Sequence, residues 1–278
     1  MSASPIKTRD LTGRVVVITG AGSGIGRELA LQCADRGASL AICDRNRASL
    51  HDTATTARAA GSQVFDATVD VCDAEQMTRF ANDVTEQLAA PDLVINNAGI
   101  AVIGGILDTT LDDWNRLVGV NLMGVVHGVA AFAPAMVERG SGHLVNVSSA
   151  AGMLANPQLG AYSTTKFAIF GMTEALRMEL APHGIAVTTI CPGVINTAIT
   201  CDSTYRGGNE QARRAKINAA YAKRGYTPER AARNILAAID RGKAVAPIAP
   251  EAHLIYILSR IAPPLARWAS VALANIAK

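Results

Sequence analysis

The apolar positions of this chain fall into short unbroken runs separated by longer stretches in which they recur every three or four residues. The first run, Val15-Val16-Val17-Ile18, is β-branched and lies between Arg14 and Gly20. A run of this kind, without polar alternation, suits a strand buried on both faces, as in a parallel sheet. A glycine-rich stretch follows. A helical pattern then runs over residues 25–36 (Ile25, Leu29, Ala30, Cys33), and Gly37 ends it. Further strands are predicted at residues 39–43, 63–69, 93–95, 143–147 and 185–190. Helices are predicted at 47–60, 74–89, 111–138 (long enough to bend) and 162–181.

Strand–helix units at this spacing predict an α/β fold, a parallel sheet with helices on both faces. Right-handed crossovers make such a sheet doubly wound. No linker or composition break precedes about residue 195, so residues 1–278 are read as one domain. The pattern changes from residue 198. Residues 198–225 are polar and lack clear strands, residues 229–240 are helical behind Pro228, and residues 254–277 are apolar, broken by Arg260, Pro263-Pro264 and Arg267. Residues 198–278 are therefore read as a substrate-loop region and an apolar C-terminal extension within that domain.

Composition narrows the classes. Apolar residues make up 49% of the chain and charged residues 18%, which excludes a disordered protein. A net charge of +3 is too small for a nucleic-acid binder and still admits an anionic ligand. The five cysteines are odd in number and form no CxxC pair, so reduced thiols are expected. Residues 1–14 have no apolar core like that of a signal peptide, and no uncharged apolar run is expected to reach the roughly 18 residues of a spanning helix. A soluble, cytoplasmic protein is the expectation.

Candidate chemistry begins at Thr19-Gly20-Ala21-Gly22-Ser23-Gly24-Ile25-Gly26, between a predicted strand and a predicted helix. Glycines there permit a tight turn and close approach of the backbone to a pyrophosphate, and the helix start offers unpaired N–H groups. The spacing is not GxGxxG, and a purely structural turn is the alternative. Asp44 ends the second strand, 18 residues after Gly26, where a carboxylate can accept from the adenosine ribose hydroxyls. That favours NAD over NADP, although the adjacent Arg45 could pair with a 2′-phosphate. The bland reading of Asp44 is a helix cap.

Tyr162 and Lys166 stand four residues apart at the start of a predicted helix and share a face. A phenol near its ordinary pKa of about 10 needs a shift of about 3 units, about 4 kcal/mol, to serve as an acid–base near neutrality. The lysine cation and an oxidised nicotinamide ring would both contribute. YxxxK alone is a chance pattern; its neighbours give it weight. Ser148-Ser149, Asn96-Asn97-Ala98-Gly99 and Pro192-Gly193 each follow a predicted strand, at the carboxyl edge where ligands bind in such sheets. Ser149, 13 residues before Tyr162, could hydrogen-bond a substrate oxygen.

As a set, these residues resemble the short-chain dehydrogenase/reductase family over residues 11–195. TGxxxGxG is met by Thr19, Gly20, Gly24 and Gly26, NNAG by Asn96 to Gly99, YxxxK by Tyr162 and Lys166, and PG by Pro192-Gly193. The resemblance implies a Rossmann-type three-layer sandwich and a nicotinamide cofactor. It implies further that Asp70, followed by Val71, contacts adenine, and that Thr197, after Ile195, meets the nicotinamide end. Tyr162 would be the general acid–base, Lys166 would hold the nicotinamide ribose and lower the tyrosine pKa, and Ser149 would orient the substrate oxygen. Asn121 would hold a water linking Lys166 to solvent. The cofactor-binding set expected is thus Gly20, Ser23, Gly24, Ile25, Gly26, Asp44, Arg45, Asp70, Val71, Asn97, Ala98, Gly99, Tyr162, Lys166, Pro192, Gly193, Ile195 and Thr197.

The rest of the chain supports no rival chemistry. The histidines are dispersed without a zinc-ligand pattern, so no metal is expected. No GxSxG elbow surrounds Ser149. Residues 205–243 carry ten Lys/Arg against three Asp/Glu. That excess reads as a solvated helical face or as an attractor for an anionic acyl-CoA substrate. The apolar tail reads as a cover for the cleft or a contact with a partner subunit, with a membrane-surface segment as the third reading. The expected activity is hydride transfer between NAD, or NADP, and a secondary alcohol or ketone of apolar character, in a homodimer or homotetramer. An NADPH-dependent ketone or 3-ketoacyl reductase and a non-catalytic dinucleotide-binding regulator are the alternatives.

Overall fold

The unbroken apolar runs become the strands of one sheet, and successive residues within them face opposite sides of it. The computed structural model describes residues 4–197 and 199–276. In chain order the elements are β1 (Val15–Thr19), α1 (Gly24–Ala34), β2 (Ser39–Asp44), α2 (Arg47–Ala59), β3 (Val64–Thr68), α3 (Ala74–Gln87), β4 (Leu93–Asn96) and β5 (Val102–Ile103). There follow α4 (Leu111–Leu117), α5 (Gly124–Arg139), β6 (Gly142–Val147), α6 (Gly160–Leu180), β7 (Ile185–Pro192), α7 (Ile199–Asp202), β8 (Thr204–Tyr205) and α8 (Glu210–Arg224). The chain ends with α9 (Pro228–Asp240), β9 (Val245–Ile248), α10 (Pro250–Ile261) and α11 (Pro263–Ile276).

Seven strands form a parallel sheet in the order β3-β2-β1-β4-β6-β7-β9. Val16, Ile18, Leu40, Ile42 and Leu93 join Leu29 of α1, Leu50 of α2 and Ile235 of α9 in one buried cluster. Val15, Val17, Ala41 and Val94 join Met77 and Phe80 of α3 and Phe132 and Met136 of α5 in the other. This is the doubly wound, Rossmann-type three-layer sandwich that the sequence predicts. The strand order reverses about β1, so the carboxyl ends of β1 and β4 border a crevice suited to a ligand.

Several elements depart from the sequence reading. Residues 111–139 are one continuous helix, but Val118–Met123 is a π turn. This inserts an extra residue into the ladder and brings Asn121 into a fully buried position. By length and composition this helix could cross a membrane, which corrects the expectation that no such run exists. Phe132, Ala133 and Met136 pack on the sheet and account for part of its apolar character.

Residues 198–225, read as polar and without clear strands, contain α8, which is capped by Asn209 and ended by Gly225 at φ 64°. Its Ala-, Arg- and Lys-rich sequence favours helix but buries no residue, so no apolar stripe betrays it. The short strands β5 and β8 pair in parallel and tie this segment to the body. Strand β9 also went unread; Pro247 within it is tolerated because β9 is the sheet edge. Ala198 and Ala277, bounds of two predicted segments, and residues 1–3 lie outside the described residues.

Candidate active site

The site grows from the turn after β1. Gly20 has φ +67°, and a Cβ there would lie 2.8 Å from Ala98 Cα. A Cβ on Gly26 would lie 2.1 Å from the carbonyl oxygen of Gly20. Only glycine lets α1 start this close to the turn. Ser23, the N-cap of α1, makes no side-chain cap hydrogen bond, and the first turn carries no acidic residue. The opening N–H groups of α1 therefore lack a side-chain cap, as an anion site requires. Gly24, at φ +54°, faces Thr197 across the cleft: a Cβ would lie 3.3 Å from its methyl group.

The next strand end is locked to this turn. Thr19 Oγ1 accepts from the backbone N–H groups of Asn97 (3.0 Å) and Ala98 (3.1 Å). Asn97 Nδ2 donates to the carbonyls of Thr19 (3.0 Å) and Gly20 (3.2 Å). Asp44, at the end of β2, accepts from Gly22 N and Asn46 N, both at 2.9 Å. Its carboxylate is therefore aimed at the glycine turn, and the cap of α2 is Asn46, which accepts from Ala48 and Ser49. The helix-cap reading of Asp44 is thereby corrected.

The candidate acid–base group lies beyond β6. Ser148 Oγ donates to the carbonyl of Lys166 at 2.7 Å, and Gly152 leaves no room for a side chain at the same junction. This draws the turn after Ser149 against α6. Ser149 Oγ accepts from Ala151 N at 3.1 Å and acts on the Tyr162 phenol as a hydrogen-bonding neighbour that lowers its pKa. Lys166 Nζ donates to the carbonyl of Val147 at 3.0 Å and sits 5.7 Å from the centroid of the Tyr162 ring.

The electrostatics differ from the sequence expectation. Burial pushes the Tyr162 phenol up to about 12; the Ser149 hydrogen bond opposes this, and Tyr221 adds to it. Burial pulls Lys166 down to about 8. Ser149 lowers the Tyr162 phenol against this burial, and Lys166 is itself desolvated and engaged by Val147 O.

Every predicted cofactor or catalytic residue except Gly26 and Asn121 lines one cleft of about 450 Å³. Gly26 lies beneath its floor, against Gly20 O and Asn97 Nδ2. Asn121 is behind the wall. Its Oδ1 accepts from Ile100 N (2.9 Å), and its Nδ2 donates to Ile100 O (3.0 Å) and Thr165 Oγ1 (3.1 Å). That amide holds the Ile100 segment to α6. Residues absent from the sequence reading also line the cleft, among them Ser49, Ile103, Leu159, Asp202 and Tyr221. Ser49 lies in α2 and Ile103 in the short strand β5, while Asp202 and Tyr221 lie in helices after residue 198, and none belongs to a motif that the sequence marks.

Much of the basic stretch is the solvated helical face expected, since α8 buries no residue and Lys216, Lys223, Arg224, Arg230 and Arg233 are exposed; three of its arginines also make structural contacts. Arg206 pairs with Asp113 at 2.7 Å. Arg213 donates to the carbonyls of Arg206 (2.6 Å) and Gly207 (2.8 Å) and to Gln158 Oε1 (2.9 Å). Arg214 donates to Ser203 O at 3.1 Å. These cations fasten the lid formed by residues 199–224. The apolar tail does not cover the cleft. Among the described side chains of residues 254–272 none lines it, and Leu254, Ile257, Ile261, Leu265 and Trp268 face outward.

Sheet order and cleft chemistry together are those of a short-chain dehydrogenase. The family profile described as short chain dehydrogenase matches residues 14–206, and the chain belongs to that family. Mycobacterium tuberculosis EphD, named an oxidoreductase, is 42% identical over 259 residues, covering 91% of this chain and 44% of EphD. This chain thus spans less than half the length of that relative. SadH of the same organism, also named an oxidoreductase, is 39% identical over 253 residues, covering 90% of this chain and 91% of SadH. A short-chain dehydrogenase/reductase from Burkholderia phymatum, solved in complex with NAD, superposes with a TM-score of 0.85 at 29% identity, covering 93% of this chain and 96% of that one.

Proposed function

We propose that the protein is an NAD-dependent oxidoreductase that interconverts a secondary alcohol and its ketone. One observation carries this reading: the hydroxyls of Ser149 and Tyr162 and the ammonium of Lys166 line the cleft that also holds the uncapped start of α1. NAD in the Burkholderia phymatum relative supports the choice of cofactor. The residues present fit it. Gly20, Ser23, Gly24 and Ile25 would hold the pyrophosphate. Asp44 would take the adenosine ribose, and Asp70 and Val71 the adenine. Lys166, Pro192, Gly193, Ile195 and Thr197 would hold the nicotinamide half. When bound, the nicotinamide supplies the hydride acceptor or donor.

The protein's own work is positioning and proton transfer. In alcohol oxidation Tyr162, as phenolate, removes the hydroxyl proton, and in reduction its phenol returns a proton to the ketone oxygen. Ser149 donates to the same oxygen and holds it within reach of Tyr162. Lys166, charged at neutral pH, favours the phenolate from behind. Ile100, Ile103, Val147 and Leu159 give the cleft apolar walls, which supports an apolar substrate. Exposed Leu111, Val118 and Met123 on the 111–139 helix and Phe167 and Met178 on α6 support association of copies through those helices.

A screen of hydrophobic secondary alcohols, following NADH absorbance, tests the reading. Substrate-dependent NADH formation that Tyr162→Phe abolishes, while NADH still binds, is the expected result. Wild-type turnover in that variant would overturn it.

A further inference from the structure

One carboxylate joins the two halves of the cleft. Glu251 Oε1 accepts from the backbone N–H of Val194 at 2.6 Å, and its Oε2 pairs with Arg224. Val194 follows Pro192-Gly193 at the end of β7, in the loop whose Pro192, Gly193, Ile195 and Thr197 line the cleft. Arg224 is the last residue of α8, three residues after Tyr221, so the two share a face of the lid helix. Tyr221 lines the same cleft beside Tyr162.

The backbone is shaped to deliver this side chain. Among the described residues Ala249 alone is a non-glycine with positive φ, at 88°. It is the N-cap of α10, with Pro250 and Glu251 opening the helix. Strain of this kind persists where the surrounding structure over-determines it, and often does so at sites of function. Gly193 completes the fit: a Cβ there would lie 2.2 Å from Glu251 Oε1.

We propose that Glu251 is a positioning residue that couples the Pro192–Val194 loop to the lid helix, so that lid closure over substrate and the seat of the cofactor's nicotinamide end are set together. Arg224 is its partner on the lid. This rests on the functional reading above. The ion pair is about one-third exposed on the arginine side, so its effect is modest, whereas the hydrogen bond to Val194 fixes backbone. The two contacts are separable by substitution: Glu251→Gln keeps an oxygen for Val194 N and removes the charge, and Glu251→Ala removes both.

The test compares full-length wild type, Glu251→Gln, Glu251→Ala, Arg224→Gln and the Arg224→Gln/Glu251→Gln double variant. Three readouts are taken: NADH affinity by fluorescence, hydrogen exchange over residues 210–224, and KM against kcat for an alcohol from the screen. Glu251→Gln is expected to bind NADH within about twofold of wild type. Its lid should exchange about fivefold faster, and its alcohol KM should rise by a similar factor with little change in kcat. Arg224→Gln should match it, and the double variant should add nothing further. Glu251→Ala should also weaken NADH binding roughly tenfold, which the glutamine variant restores.

Additive effects in the double variant, or unchanged NADH affinity in Glu251→Ala, would overturn the coupling. If wild type binds no NADH, the functional reading fails on its own. Lid exchange still judges the latch, since equal exchange in wild type and Glu251→Gln overturns it.

Discussion

Lys166 Nζ donates to the carbonyl oxygen of Val147 at 3.0 Å, two residues before Ser149 at the same strand end. Its ammonium is thus held by the backbone of β6 rather than by the phenol it is meant to assist. Two substitutions should separate these duties. Tyr162→Phe should keep NADH affinity and lose activity by at least about a hundredfold, the size of a general acid–base contribution. Lys166→Met should lose activity and NADH affinity together, because that side chain faces both the cleft and the tyrosine. Equal NADH affinity in both variants would refute the second role of Lys166.

Ser149 makes a pH prediction. Burial raises the Tyr162 phenol to about 12, and the Ser149 hydrogen bond lowers it. Alcohol oxidation needs the phenolate, so its rate rises with pH through that ionisation. Ser149→Ala removes the lowering contact and should move the rising limb of kcat/KM to higher pH by about one unit. A limb that moves down, or not at all, would show that Ser149 does not act on the phenol.

Asp44 decides between the two nicotinamide cofactors. Its carboxylate is fixed by Gly22 N and Asn46 N at the end of the cleft that Arg45 also borders. A 2′-phosphate placed there meets a like charge, a juxtaposition that costs several kcal/mol. NAD should therefore give the higher kcat/KM, and Asp44→Ser should move the NADP/NAD ratio upward by roughly a hundredfold. A wild-type preference for NADP would mean that Arg45 outweighs Asp44.

His143 predicts acid sensitivity of the fold. It is fully buried, its Nε2 shares a hydrogen bond with Thr188 Oγ1 at 2.9 Å, and burial lowers its pKa from 6.5 to about 4. Between these values the unfolded chain binds a proton that the native protein refuses. This contribution is therefore fully present above about pH 6.5 and is lost as pH falls toward 4, amounting to about 3 kcal/mol. Urea midpoints from pH 7 to 4 should fall more steeply for wild type than for His143→Gln. Parallel slopes would refute the assignment.

Much of this site can be read from residue order, because a parallel sheet brings strand ends to one edge. Gly20, Asn97, Ser149 and Pro192 each stand at the end of a predicted strand, and their convergence needs only the fold class. What escaped has a physical reason. Asn121 carries the expected letter, but a π turn that no periodicity reveals turns its amide inward. Tyr221 and Arg224 lie on a helix that buries nothing, so no hydrophobic pattern marks it. Glu251 depends on an alanine in a glycine-like conformation, which sequence gives no reason to expect. Burial raises the Tyr162 phenol and lowers the Lys166 ammonium together, a desolvation that residue order does not reveal.

Arg206 binds Asp113 at one end of the segment over the substrate pocket, and Arg224 binds Glu251 at the other. A strap buckled at both ends can bow but cannot swing like a door. On the proposed function, a ligand reaches the cleft by the outward bowing of residues 207–223 between the two ion pairs, not by a hinge at either end.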